Sequence, residues 1–409
     1  MINWLKNIKT LNLTLSDYAL IWIVFFSIFY QKLAPVGFIF WILISILVWK
    51  KISLFELFKK TFFGNKKWFL AYYFLLIMGM IWSENTAFGL SKLENKLTFL
   101  LFPILFSNSE ITISIQTFKK LFTVALVLTL FSLEIFALFR ALFFESSNAA
   151  AYFHDPYFCI IMHRSYFACY LVIGIIMVLS EFKKNNNNWY IFLVLFFSLG
   201  VLQTGSKAGV ISLIIVFVLF TFTQLITNNK KLSLLTIICL TLVFSVLLIN
   251  RERGKSRFFT LFSALESTKL SNNPSVESNA ARLMIWNSSL DVWKENLIFG
   301  TGTGDYDDIL TLKNLTKGNH GIAKQRLNSH NQFLNSGVQL GIFGFIILVM
   351  IFISSILTYP TSIWRISILI VFFINFMVES FLETQAGIVL FCILCVFLFD
   401  SEKKQTKFN

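Results

Sequence analysis

The sequence predicts an all-α, polytopic membrane protein of about twelve transmembrane helices, with one long periplasmic loop that contains an amphipathic helix. Three observations carry this expectation. Of the 409 residues, 56% are hydrophobic and 14% charged, with a mean hydropathy of +0.72, whereas a water-soluble domain carries about 25% charged residues and could not hide so much apolar surface. The apolar residues come in long blocks, Tyr18 to Tyr30 and Lys119 to Phe144 among them, many near the roughly 20 residues that cross a bilayer core. Lysine and arginine gather in alternate connections between those blocks, the pattern of a chain crossing a membrane repeatedly.

Taken in order, the blocks place spans at 17–31, 34–49, 68–82, 96–107, 120–143, 160–180, 189–203, 207–226, 232–249, 332–357, 362–378 and 385–399. The fourth is short and holds Pro103, which leaves eleven spans as an alternative. No small-residue cleavage site follows the first block, so it reads as a retained helix and not a signal peptide. Lys50, Lys51, Lys59, Lys60, Lys66 and Lys67 crowd one connection. Lys183 with Lys184, Lys230 with Lys231, and Lys403 with Lys404 repeat the bias at alternate ones. The expectation is therefore a multi-pass protein with both termini cytoplasmic. Its parts are an N-terminal bundle of about nine spans (1–249), a periplasmic loop (250–331), and C-terminal spans with a cytoplasmic tail (332–409).

The loop opens on a basic cluster, Arg251, Arg253, Lys255 and Arg257, and continues through a Ser/Asn/Pro stretch from Ser267 to Asn279. Leu283, Trp286, Leu290, Trp293 and Leu297 then recur at spacings of three and four, which predicts an amphipathic helix lying on the bilayer or the bundle. Asn296, Gly300, Gly302 and Gly304 supply its stop signals.

Several function classes are disfavoured. The net charge of +14 is spread over short clusters with no continuous basic face, so nucleic acid is not an expected partner. Cys159, Cys169, Cys239, Cys392 and Cys395 lie in or beside apolar blocks and read as small buried hydrophobes; Cys392 and Cys395 lack the second ligand pair a zinc site needs. Gly300 to Gly304 imitates a nucleotide-binding loop but follows a helix instead of leading into one. Asp305, Asp307 and Asp308 lack calcium-loop spacing and read as a solvated turn. Neither a metal nor a cofactor is expected.

What is left is a set of ionisable groups at the outer ends of spans, where each costs several kcal/mol unless paired or hydrated. Lys207 lies in Thr204-Gly205-Ser206-Lys207-Ala208-Gly209 and suits either an interfacial anchor or a cation for an anionic substrate. Arg282 opens the loop helix, as a solvated flank or a working cation. His330 and Asn331 stand where the tenth span begins; the imidazole suits capping or proton transfer. Glu379 and Glu383 form an (i, i+4) pair on one helical face, structural or catalytic. His163 and Arg164, near the outer end of the sixth span, complete the set, while His154 and His320 read as loop residues.

Four segments, in order, resemble the signature region of the O-antigen ligase and O-antigen polymerase family. They are Arg282 to Trp286, Phe299 to Tyr306, Ser329-His330-Asn331 to Leu334, and Gln339 to Gly344. Thr204 to Gly209 is similar to the family's Ser-Arg-Gly element, and Glu379 to Gln385 to its segment before the last span. The resemblance covers roughly residues 160 to 400. It implies a metal-independent glycosyltransferase of the bacterial inner (cytoplasmic) membrane, acting in surface-polysaccharide biosynthesis at the periplasmic face. The donor it implies is a polyprenyl-pyrophosphate-linked glycan and the acceptor a sugar hydroxyl, on lipid A core or on another glycan. His330 and Arg282 would be catalytic. Lys207, Arg251, Arg253, Asn331, Glu379, Glu383, His163 and Arg164 would bind substrate. Lysine at 207 departs from the family's arginine and loses the bidentate fork that fits phosphate oxygens. A transporter or flippase of lipid-linked oligosaccharide is the alternative; it would be expected to show paired internal repeats, and none is found.

Overall fold

The computed structural model describes residues 13–47, 54–62, 64–144, 149–185, 188–226, 230–249 and 279–405, among which there is no β-strand. Arg251, Arg253, Lys255 and Arg257, most of the Ser267 to Asn279 stretch, and Lys50 with Lys51 lie outside the described residues. In chain order the helices are α1 (Leu15–Phe29), α2 (Ala34–Leu47), α3 (Leu54–Thr61), α4 (Lys66–Met78), α5 (Thr86–Asn95), α6 (Thr98–Asn108) and α7 (Ile115–Phe143). There follow α8 (Arg164–Asn185), α9 (Trp189–Gln203), α10 (Lys207–Ile226), α11 (Lys230–Ile249) and α12 (Asn279–Glu295). The last are α13 (Tyr306–Thr316), α14 (His320–Lys324), α15 (Gln332–Thr358), α16 (Ile363–Val378) and α17 (Gln385–Gln405).

Each apolar block coincides with a helix. Among the described residues, four are long and apolar enough to cross a membrane, Ile115–Phe143, Arg164–Phe182, Lys207–Ile226 and Gln332–Thr358, and six further apolar helices are shorter. Helix α8 is the core of the bundle: 94% of its apolar window is buried, against 44% or less for the other three. Helix α17 runs beside it with Ile388 to Phe399 enclosed throughout. Outward faces carry residues such as Ile39, Leu43, Phe131 and Phe222, each more than half exposed. Such a surface is stable in lipid, where exposed backbone is not, and the helices satisfy their own backbone.

Polar contacts sort the helix ends into two groups. At one end, Ser165 at the start of α8 reaches Glu379 just past α16, and Asn331 at the start of α15 donates to the Met377 carbonyl. The Asp155 amide donates to Gln203 at the close of α9, so α10 and Lys207 begin at this same end. At the other end, Lys119 of α7 pairs with Glu181 of α8 at 3.2 Å. Arg365 of α16 donates to the Leu398 carbonyl of α17 at 3.1 Å, and Asn65 donates to Ser355 of α15 at 2.7 Å.

The loop helix forms as predicted, as α12, but the face it buries centres on small residues and takes in only part of the predicted stripe. Ala281, Ile285, Ser288, Ser289 and Val292 are enclosed, while Leu290 and Leu297 of the predicted stripe point outward, 40% and 53% exposed. Small side chains let α12 lie close on α15, as where the Trp293 ring covers Gly337. Trp293 of the predicted stripe thus packs on α15, Leu283 and Trp286 are half-buried, and Leu290 and Leu297 lie outside the contact.

Candidate functional site

The segment Gly300 to Gly304 builds the floor of the site. Helix α15 breaks at Gly341, whose φ of 65° no side chain tolerates well, and the break frees carbonyls from their helical partners. Thr301 and Gly302 amides donate to the Val338 and Gln339 carbonyls at 2.9 and 3.0 Å, and the Ile342 amide returns to the Leu297 carbonyl at 2.8 Å. Gly300 and Gly302 also have positive φ, and a Cβ on Gly300 would run into the Gly341 backbone. The glycines serve close backbone approach, with no nucleotide-loop geometry. Asp305, read as a solvated turn residue, accepts from the amides of Glu84 and Asn85 at 2.8 Å each and fastens α13 beside α5.

Above this floor stands His330, at a backbone φ of 43°. Its amide donates to the Asn328 side chain at 3.0 Å, and the preceding Ser329 accepts from Ser289 of α12 at 3.0 Å. Asn331 caps α15, its side chain accepting from the Leu334 amide at 3.1 Å. The backbone at His330 is thereby held from both sides. Glu379, extended at the end of α16 and 6% exposed, holds His330 Nδ1 at 3.2 Å on one oxygen. On the other it holds Arg282 at 3.0 Å and Ser165 at 3.2 Å. Burial pushes its carboxyl up, but the hydrogen bond from His330 and the Arg282 charge outweigh that and keep it below the usual carboxylate range. An ionised carboxylate on Nδ1 favours the tautomer whose Nε2 carries a lone pair.

Glu383 has a different environment. The two carboxylates do not share a helical face as expected: Glu379 is extended, and Glu383 closes the 3-10 turn Phe381–Glu383. Four donors surround it, Lys96 at 2.6 Å and Asn335 at 2.9 Å on one oxygen, Lys92 and Tyr306 at 2.8 Å on the other. Burial would raise its pKa; the charges of Lys96 and Lys92 lower it instead, to about 2.

The structure brings Arg282, His330, Asn331 and Glu379 together, with Glu383 behind them. His163 and Arg164 lie at the same end: Ser165 links them to Glu379, and Arg164 pairs with Asp155. Lys207 is half-buried at the start of α10. Sequence reasoning missed Lys92, Lys96, Tyr306 and Ser165. The first two carried one usable signal, positive charge at a connection that the predicted topology puts on the charge-poor outer side.

Residues 191–349 match the family model described as O-antigen ligase. Over that region, under half of the chain, the protein is similar to the O-antigen ligase family. The resemblance drawn from the ordered motifs is borne out over these residues, which contain Lys207, Arg282, His330 and Asn331, while Glu379 to Gln385 lies beyond the match. A stretch of 158 residues is 31% identical to an uncharacterized protein of Haemophilus influenzae (strain ATCC 51907 / DSM 11121 / KW20 / Rd). It covers 37% of this chain and 38% of that relative, so the match spans well under two thirds of either.

Proposed function

We propose that the protein is a membrane glycosyltransferase of the O-antigen ligase or polymerase type, acting in surface-polysaccharide biosynthesis. It moves a polyprenyl-pyrophosphate-linked glycan onto a sugar hydroxyl, without a metal. In this reading the helices on the twelve apolar blocks cross the bacterial inner membrane, both termini are cytoplasmic, and the end bearing His330 faces the periplasm. The observation that supports it most is the single carboxylate, Glu379, that binds Arg282 and His330 at once.

The chemistry follows from that pairing. The acceptor oxygen attacks the anomeric carbon while its proton passes to His330 Nε2, a contribution typically worth about 10² to 10⁴ in rate. The bond from the anomeric carbon to the diphosphate breaks, and its electron pair stays on the diphosphate oxygen. Arg282, with Lys207 at the same end, stabilises that growing negative charge in a partly dry site. Glu379 does not touch the reacting atoms; it orients the imidazole and balances its charge, as a carboxylate behind a histidine base does.

The test is transfer by purified protein in detergent, with a lipid-linked glycan as donor. Wild type should form a new glycosidic bond in the presence of a chelator. His330→Ala should lose at least about a hundredfold in rate while folding normally, and Arg282→Ala should raise the donor KM more than the acceptor KM. Full transfer by His330→Ala would remove the histidine from the mechanism. Movement of donor across vesicles without any new bond would replace the reading with a flippase. In a deletion strain, loss of all long chains from lipid A marks a ligase, and single repeat units on lipid A mark a polymerase.

A further inference from the structure

Four residues beyond Glu379, Glu383 is held by more positive charge than it needs. Its side chain is 5% exposed, and one lysine would neutralise it, yet two reach it. Taking a second ammonium out of water costs several kcal/mol unless an anion repays it. The neighbouring carboxylates are placed elsewhere: Asp307 and Asp308 pair with Arg326, Asp305 takes the amides of Glu84 and Asn85, and Glu94 lines a cavity that does not include Lys92.

The two lysines are not equivalent. Lys96 has no exposed side-chain surface and also donates to the Gln339 side chain at 3.2 Å. Lys92 is 16% exposed and lies over the rings of Phe88 and Tyr306, 4.9 and 5.5 Å from their centroids. If Lys92 turned away, Glu383 would keep Lys96 and Asn335 on one oxygen and the Tyr306 hydroxyl on the other. Lys96 is the fixed partner and Lys92 the exchangeable one.

We infer that Lys92 is an anion-binding residue of the site, leaving Glu383 to take a phosphoryl oxygen of the lipid-linked diphosphate while Lys96 keeps the turn in place. The inference rests on the glycosyltransferase reading for the identity of the anion. A diphosphate spreads its charge over two phosphoryl groups, and the turn from Glu379 to Glu383 has a cation at each end, Arg282 and Lys92. An ammonium suits this exchange, being a compact charge on a flexible stem.

The experiment measures binding of inorganic pyrophosphate to purified full-length protein in detergent, alongside thermal stability and donor KM. Lys92→Met should weaken pyrophosphate about tenfold, the loss of one charge-assisted hydrogen bond, and raise donor KM similarly, with Tm close to wild type. Lys92→Arg should retain both. Glu383→Gln frees Lys92 from its carboxylate, so it should bind pyrophosphate at least as well as wild type despite a lower Tm. A merely structural role would move affinity and Tm together in both variants, and that result overturns the proposal, as does unchanged binding in Lys92→Met. Anionic lipid in nanodiscs should not compete with pyrophosphate; competition would assign Lys92 to a bilayer headgroup instead. If wild type binds pyrophosphate through Lys92 but transfers no glycan, the glycosyltransferase reading falls alone. If it transfers glycan and Lys92→Met is unaffected, only this inference falls.

Discussion

At φ 43°, His330 stands in the left-handed region, where a Cβ costs roughly 1–2 kcal/mol. The Asn328 side chain, the Ser289–Ser329 hydrogen bond and the Asn331 cap hold it there, and the strain is part of aiming the ring at Glu379. His330, Arg282 and Glu379 were legible in the sequence because they sit in short ordered segments whose chemistry needs those residue types. Lys92 and Lys96 were not. Their partner lies 291 and 287 residues away, and no local pattern around them points to it. Lys96→Met removes the one fully buried cation from Glu383 and should cost about 3 kcal/mol, visible as a lower Tm in detergent. The sign of the pH dependence follows from Glu383. Its pKa falls from 4.5 to about 2 on folding, so the stabilisation is complete above about 4.5 and fades as the pH drops toward 2. Unfolding scans from neutral pH downward should show the gap between wild type and Glu383→Gln narrowing over that window; a constant gap would mean the charge on Glu383 is not what stabilises the turn.

Among the elements, the segment Gly300 to Gly304 and the break in α15 explain each other. Periodicity located α12 and the glycines that end it, but not their use, because the carbonyls they serve belong to a helix that reads as continuous in sequence. Periodicity placed the buried face of α12 only in part: Leu and Trp dominate any hydropathy pattern, while small residues, Ala281, Ser288 and Ser289, are among the enclosed ones beside the Trp293 contact. In Gly341→Ala a methyl group would meet the Ile298 carbonyl oxygen at a positive φ, and the variant should fail to accumulate as folded protein. Gly318→Ala also requires a positive φ, 77°, but has nothing within 4 Å of the new carbon. It should fold with a loss of only about 1–2 kcal/mol. Expression and gel-filtration profiles of the pair separate backbone strain from collision.

For the molecule as a whole, each of the twelve apolar blocks reported a helix, yet nothing in their composition distinguished α8 and α17 as the interior pair. Centrality depends on which helices surround which, and lipid and protein interior are equally apolar. The sorting of helix ends into two groups predicts a labelling pattern. A cysteine replacing Gly318 should react with a membrane-impermeant thiol reagent from the periplasmic side, and one replacing Ser362, at the start of α16, only after the membrane is opened. Labelling of both from one side would break the sorting into two ends, and a swap of the two reactivities would invert the topology. The break at Gly341 divides α15 into a short upper piece bound to the loop and a longer lower piece in the bundle. Changes in bilayer thickness, which tilt or stretch ordinary crossings, can be absorbed by the lower piece alone. His330 precedes the upper piece, whose residues from Gln332 to Gly341 are almost wholly enclosed by protein, so on the proposed reading it is neighbouring side chains and not lipid that set where the histidine stands.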